Sequence, residues 1–398
     1  MKIAMVFDGL QVGGIERVGA DYAKIMEQLG HEITIVNLVP NKNEMEKHFP
    51  DSCQWIYAPY LRKFAPEQYA QLIKKGFWGK IAYPLATIVL SMFSQVLKYA
   101  YRIMGKTNDT YDIIIAFSGH FNDLSFVAMN FMKSNNKLCW LHGALYSYLL
   151  ISDGYVNLYK KINNLIVLGD ENQEEVFLYN KDLKLNIHKL YNPTFITENL
   201  ENKNNIFELK NKFGRFMLMV SRFECPPKDH FTVAKSLELV RNKYGDDINL
   251  VFVGDGPNEF EVKQYVDLLN NNLKNHIFFE GKKYNVQDYY RAAFILVHAS
   301  IVEGLPTVVL EAMANNLPVV VTDSKTGAKE ILRESEYGLL CSVKDPLDMA
   351  YQIHRLCQDK DLYDTLKKKG KERIRDFQPE TIKSQLNAIL NSLVDKEK

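Results

Sequence analysis

A chain of 398 residues exceeds what one hydrophobic core ordinarily serves and points to two domains. Its 46% hydrophobic and 24% charged residues are the make-up of a soluble globular protein, and a net charge of +1 offers nucleic acid no basic surplus. Five cysteines (Cys53, Cys139, Cys225, Cys341, Cys357) form no C-x-x-C pair, as expected of reduced thiols in a cytoplasmic protein without structural zinc.

The first apolar run, residues 3–7, turns polar at Asp8; it is too short for a signal peptide and suits a buried strand. Similar runs at 33–37, 54–57, 113–117, 137–141 and 165–168 alternate with helix-period segments, the mark of βαβ units and a mainly parallel sheet. After Tyr191-Asn192-Pro193 the rhythm restarts, with strands expected at 216–220, 250–253, 277–279, 295–298, 318–321 and 338–340. The polar, Asn-rich stretch 197–205 reads as a linker. These features divide the chain into an N-terminal domain 1–195 and a C-terminal domain 196–379, both doubly wound α/β, with a last helix in 380–398 returning to the first. Open α/β sheets bind ligands at the carboxyl ends of their strands, which places the expected site in a cleft between the two domains.

Residues 303–323 read EGLPTVVLEAMANNLPVVVTD. Gly304-Leu305-Pro306 cannot all lie inside a helix, so a loop carrying Glu303 feeds a helix carrying Glu311. Backbone N–H groups around Leu305 and Thr307 would then face out of a helix N-terminus, where unpaired donors and the helix dipole favour a phosphate or sugar hydroxyls; Pro306 has no N–H to give. Taken singly either glutamate is an ordinary solvated side chain. The intact string resembles glycosyltransferase family 4, the retaining GT-B enzymes, marked by two glutamates with seven residues between them, an Ala-Met-Ala stretch and a Pro-Val-Val strand.

The resemblance covers nearly the whole chain and implies two Rossmann-like domains facing across a cleft, with Glu303 at the donor sugar and Glu311 on the ribose. Residues 220–230, VSRFECPPKDH, match the family's strand, Arg, short loop, Lys pattern, which assigns Arg222 and Lys228 to the donor diphosphate, where bond cleavage adds negative charge. The loop after Phe223 is unusual in carrying Cys225-Pro226-Pro227, which would stiffen the approach of Lys228. Gly13 and Gly14, in GLQVGGIER, open the first helix where backbone can approach a ligand, and the family's equivalent turn borders the donor phosphate and acceptor pocket. Their spacing is not G-x-G-x-x-G, and the second strand ends in Asn37 rather than an acid, which argues against NAD. By the same resemblance His142, in CWLHGALY, contacts the donor sugar. The turn 254–257 and the loop 281–285 match architecture near the nucleotide, and His120, Phe121, Asn122 and Asp123 are acceptor-pocket candidates by position. Asn315-Asn316 departs from the family's small pair; Asn316 is expected to take the left-handed conformation of a helix end.

The one D-x-D match, Asp359-Lys360-Asp361, lies in a charged helical stretch, so metal-independent chemistry is expected, with no cofactor beyond the nucleotide-sugar substrate. From 62 to 106 eight basic residues (Arg62, Lys63, Lys74, Lys75, Lys80, Lys98, Arg102, Lys106) face one acid, Glu67. The uncharged run 81–97 is short of the about 20 residues a spanning helix needs. Two readings stand: an interfacial helix drawn to anionic lipid on the inner face of the cell membrane, and a buried helix with a solvated rim.

The expected function is transfer of a hexose or N-acetylhexosamine from a UDP-linked sugar, with retention, to a glycan or lipid-linked acceptor, as in capsule or lipopolysaccharide synthesis. The alternatives are a non-catalytic nucleotide-sugar-binding subunit and an epimerase or phosphorylase on the same fold.

Overall fold

The computed structural model describes all residues except 144–147, 149–153, 172–173, 176–184, 195–202, 270–272, 284, 302, 325–326 and 396–398. Short runs of β-branched and apolar residues, apolar on both faces, become strands covered by helices on each side. In the first unit, Met1–Pro193 with Pro379–Lys398, these are β1 (Lys2–Phe7), β2 (Glu32–Asn37), β3 (Gln54–Tyr57), β4 (Ile113–Ala116), β5 (Asn136–Trp140), β6 (Asn164–Val167) and β7 (Asn186–Lys189). They form one parallel sheet in the order β3-β2-β1-β4-β5-β6-β7. The register sets Ile3 beside both Ile33 and Ile113, so β-branched side chains meet across three strands. Helices α1 (Gly14–Gln28), α2 (Phe77–Ile103), α3 (Phe121–Ala128) and α4 (Gly154–Ile162) come in chain order.

The second unit, Thr194–Gln378, repeats the design. Strands β8 (Phe216–Val220), β9 (Asn249–Val253), β10 (Ile277–Phe279), β11 (Ile295–His298), β12 (Val319–Thr322) and β13 (Leu339–Cys341) lie parallel in the order β10-β9-β8-β11-β12-β13. Its helices are α5 (Lys203–Phe213), α6 (His230–Tyr244), α7 (Glu259–Leu268), α8 (Val286–Ala292), α9 (Thr307–Ala314), α10 (Gly327–Leu332), α11 (Pro346–Gln358) and α12 (Lys360–Arg373). Helix α13 (Pro379–Asp395) belongs to the first unit, burying Ile382, Leu386, Leu390 and Leu393 along one face. Both sheets reverse their strand order beside the first strand, between β1 and β4 and between β8 and β11.

Every strand expected from the sequence occurs, with ends displaced by at most one residue. β7 was not expected: Asn-Ile-His-Lys has no apolar run, and it is held as a half-buried edge by its backbone pairing to β6. The expected linker 197–205 is corrected at its end, because residues 203–205 already belong to α5. Half-buried Ile206 and Leu209 and buried Phe213 are spaced to anchor that helix; the rest of the stretch, 197–202, lies outside the described residues. Asn316 has φ 58°, the left-handed helix end expected of it.

One turn locks the loops at the carboxyl ends of the second unit's strands. After β9, Gly254 (φ 145°) donates to the Gly281 carbonyl at 3.0 Å, and a Cβ there would overlap the carbonyl oxygen of Ser221. Phe223 N then bonds Asp255 O and Asn258 N bonds Phe223 O, each at 3.0 Å, clamping the loop that carries Arg222. Gly254→Ala is expected to destabilise this unit by about 2–3 kcal/mol through overpacking, read as a lower urea midpoint with unchanged slope.

Candidate active site

In open α/β folds the crevice forms where the strand order reverses. In the second unit the loop after β8 carries Arg222 to Lys228 and the loop after β11 carries Ala299 to Glu303. The two are laced by backbone bonds, Asp229 N to Ala299 O at 3.0 Å and Ile301 N to Pro227 O at 2.8 Å. At their meeting point Lys228 Nζ pairs with Glu303 Oε2. The same carboxylate oxygen accepts from Ser300 Oγ at 3.0 Å and His298 Nε2 at 3.3 Å. Burial would raise the Glu303 pKa, but the His298 hydrogen bond and the Lys228 charge outweigh it and hold the group at about 2. Buried His298 is itself lowered by desolvation and acts as a neutral donor.

The segment C-terminal to Glu303 holds it in place. A Cβ on Gly327, at the start of α10, would overlap the Gly304 carbonyl oxygen, so that helix can rest on the loop only through glycine. Leu305 is buried, Pro306 is the N-cap, and Thr307 opens α9 on the exposed side. One turn on, Glu311 Oε2 accepts from Tyr290 OH of α8 at 2.9 Å. Sequence reasoning missed His298, Ser300 and Tyr290. The first two stand at the mouth of a predicted strand, a signal that was readable; Tyr290 carried none.

Arg222 is not gathered with Lys228 and Glu303. Its side chain is 72% exposed and lies 3.7 Å from Glu224. Among the other sequence candidates, the turn 254–257 acts as the clamp already described, and the 281–285 loop ends in Asn285, whose side chain bonds Asp288, with residue 284 outside the described residues. Asp359 caps α12 by accepting from Leu362 N at 2.8 Å, and Asp359, Lys360 and Asp361 are all exposed.

The first unit holds a second cluster at its own switch point. Asp8, just after β1, accepts from Asn122 Nδ2 and lies 3.1 Å from His120 Nδ1. Asp123 is fully buried, accepts from Gly119 N and His120 N at 2.8 Å each, and is pushed by burial up to about 7. Burial lowers the His120 pKa, but Asp8, Asp123 and Glu16 outweigh it and the net shift is upward. Phe121 is buried against Tyr155, ring centroids 4.1 Å apart, and so packs rather than lines a pocket. His142 lies two residues past β5, with Nε2 2.6 Å from the Phe117 carbonyl. A carbonyl only accepts, so Nε2 carries the proton and Nδ1 is left as an acceptor; burial lowers the pKa to about 4 and keeps the ring neutral. Gly13 is the extended N-cap of α1, with the Glu16 carboxylate over it, and Gly14 faces open space. Asn37 serves its own loop, accepting from Val39 N at 2.9 Å and donating to Lys42 O at 3.0 Å.

Residues 201–373, which lie within the second unit, match the family model described as glycosyl transferases group 1. The chain is 27% identical over 251 residues to N-acetyl-alpha-D-glucosaminyl L-malate synthase of Bacillus anthracis, a match covering 60% of this chain and 64% of that protein. It is 28% identical over 163 residues to the N-acetylgalactosamine-N,N'-diacetylbacillosaminyl-diphospho-undecaprenol 4-alpha-N-acetylgalactosaminyltransferase of Campylobacter jejuni, covering 41% of this chain and 43% of that one. The chain thus spans less than two thirds of either relative. The structure of Anabaena HepE in complex with UDP and glucose superposes with a TM-score of 0.71 at 20% identity, covering 98% of this chain and all of that one. The fold is GT-B.

Glu303 has a folded pKa depressed from 4.5 to about 2, so its contribution to stability is complete above pH 4.5 and is lost as pH falls through about 2. Acid unfolding is expected to steepen by up to about 1.4 kcal/mol per pH unit in that window. Glu303→Gln should flatten that slope in urea titrations at pH 6, 4 and 3.

Proposed function

We propose that this chain is a retaining, metal-independent glycosyltransferase. It moves a hexose or N-acetylhexosamine from a UDP-linked donor to a glycan or lipid-linked acceptor in the building of surface polysaccharide or glycolipid. The observation that carries this reading is the Lys228–Glu303 pair at the switch point of a group 1 domain. The names of the two relatives, an N-acetyl-alpha-D-glucosaminyl L-malate synthase and an N-acetylgalactosaminyltransferase, and the UDP held by the structural neighbour support the choice of donor.

The chemistry rests on the low basicity of Glu303. A carboxylate that receives three donors on one oxygen and titrates at about 2 is a poor base and a poor nucleophile. Its use is to accept hydrogen bonds from the donor sugar and to stabilise positive character at the anomeric carbon. The bond from that carbon to the diphosphate breaks, the acceptor oxygen bonds to the same face, and the acceptor proton passes to the departing phosphate. Lys228 meets the developing phosphate charge as a compact cation, and exposed Arg222 reaches in as a fork once the anion is present. Glu311, oriented by Tyr290, takes the ribose hydroxyls. The carbonyl-bound ring of His142 offers Nδ1 to a donor-sugar hydroxyl, the backbone of Gly13, Gly14, Gly304, Leu305 and Thr307 borders the donor, and His120 and Asn122, braced by Asp8, hold the acceptor.

Purified protein is to be given a panel of nucleotide sugars in chelator, scoring nucleoside diphosphate release and the anomeric configuration of product. One donor should be consumed with retention, and Glu303→Ala, Lys228→Ala and Arg222→Ala should each lower turnover on the order of 100- to 1,000-fold. Inversion, strict metal dependence or unaffected variants would overturn the reading. Separately, His120→Asn should raise the acceptor KM about tenfold or more while leaving acceptor-free donor hydrolysis unchanged.

A further inference from the structure

Helix α2 wears its amphipathicity inside out. Trp78, Ile81, Leu85, Ile88, Met92, Val96 and Ile103 recur at spacings of three, four and, at the end, seven and so share one stripe, and all are exposed, from 43% for Ile81 to 78% for Trp78. The opposite face is the one bonded to the domain. Buried Ser94 Oγ lies 3.3 Å from Tyr60 OH, Tyr101 OH donates to Pro59 O at 2.7 Å, and Lys98 Nζ donates to Met129 O at 3.1 Å. Those bonds tie one face of the helix to a folded domain and set it alongside that domain rather than across a bilayer, although 27 residues would be long enough.

We propose that α2 seats the first unit on an anionic lipid surface, lying along the headgroups with its stripe turned into the acyl boundary. Charge selects this occupant. Arg62 and Lys63 open the segment that leads into the helix, Lys74 and Lys75 close it and Lys80 stands in the first turn of the helix, and all five are exposed. The one acid of the stretch, Glu67, is buried and paired with Lys161 at 2.8 Å, so it does not offset them at the surface. A second copy of the chain would bring the same cations against each other, whereas anionic headgroups oppose them. The inference does not depend on the transferase reading, and its test involves no turnover.

The full chain is to be floated with phosphatidylcholine vesicles with and without phosphatidylglycerol. It should rise with the anionic vesicles, at least tenfold more than with the neutral ones, and Trp78 emission should shift to the blue, a shift lost in Trp78→Phe. The combined substitution Leu85→Gln, Ile88→Gln and Met92→Gln should cut flotation at least tenfold. Lys74→Gln, Lys75→Gln and Lys80→Gln together should cut it on the order of a hundredfold, about fivefold for each cation. All six positions are exposed, and unchanged thermal unfolding separates lost docking from lost fold. Absence of flotation, equal flotation on neutral vesicles, or glutamine variants that float like the parent would overturn the proposal. So would a dimer in solution that the Leu85, Ile88 and Met92 substitutions dissociate, which would give the stripe to a second copy.

Discussion

Where a parallel sheet reverses its strand order, the two central strands hand their chains to loops that leave in opposite directions, and the carboxyl ends stay uncovered. In the second unit that gap separates β8 from β11, and the loops are drawn back together by backbone bonds and by Lys228 and Glu303. The pair has meaning only because its surroundings are rigid. Gly254 lets β9's turn clamp the Arg222 loop, and Gly327 lets α10 sit against Gly304. A side chain at either position would displace a loop before it touched the ion pair.

The electrostatics of the site arise from that confinement. A largely desolvated carboxylate is costly unless it is paired and hydrogen-bonded, and Glu303 has a cation and two neutral donors on one oxygen. The arrangement keeps the group charged while taking away its basicity. The first unit solves the same geometric problem with different chemistry. At its switch point buried Asp123 fixes the backbone of Gly119 and His120, while Asp8 orients the His120 ring and the Asn122 amide. One switch point therefore presents a cation matched to an anion, and the other presents a histidine whose charge depends on its acidic neighbours.

Strands were legible because buried parallel strands need continuous apolar runs of a length too short for a helix. β7 was hidden because an edge strand is held by backbone pairing that Asn-Ile-His-Lys does not advertise. The string around Glu303 and Glu311 foretold a loop feeding a helix, and His298, which lowers the Glu303 pKa, stands only five residues before it, but the cation on that carboxylate comes from elsewhere in the chain. Lys228 lies 75 residues away, and its contact is a property of topology rather than of local sequence. Arg222 shows the converse: the motif names the residue, while the rotamer it adopts beside Glu224 is decided by local charge.

Helix α2 marks the limit of periodicity as a guide. A stripe at three- and four-residue spacing says that one face is apolar, and in a globular domain that face is ordinarily the buried one. Here the polar and small side chains of Ser94, Lys98 and Tyr101 are taken by carbonyls and hydroxyls of the domain, which leaves the apolar face nowhere inward to go. Folding does not supply the reward for keeping Trp78, Leu85 and Met92 apolar, since they are exposed in the folded unit. Each would be cheaper as a polar residue in water. A stripe that costs solubility and adds nothing to the core fits the lipid surface proposed for it, and the cations beside it match anionic headgroups in sign.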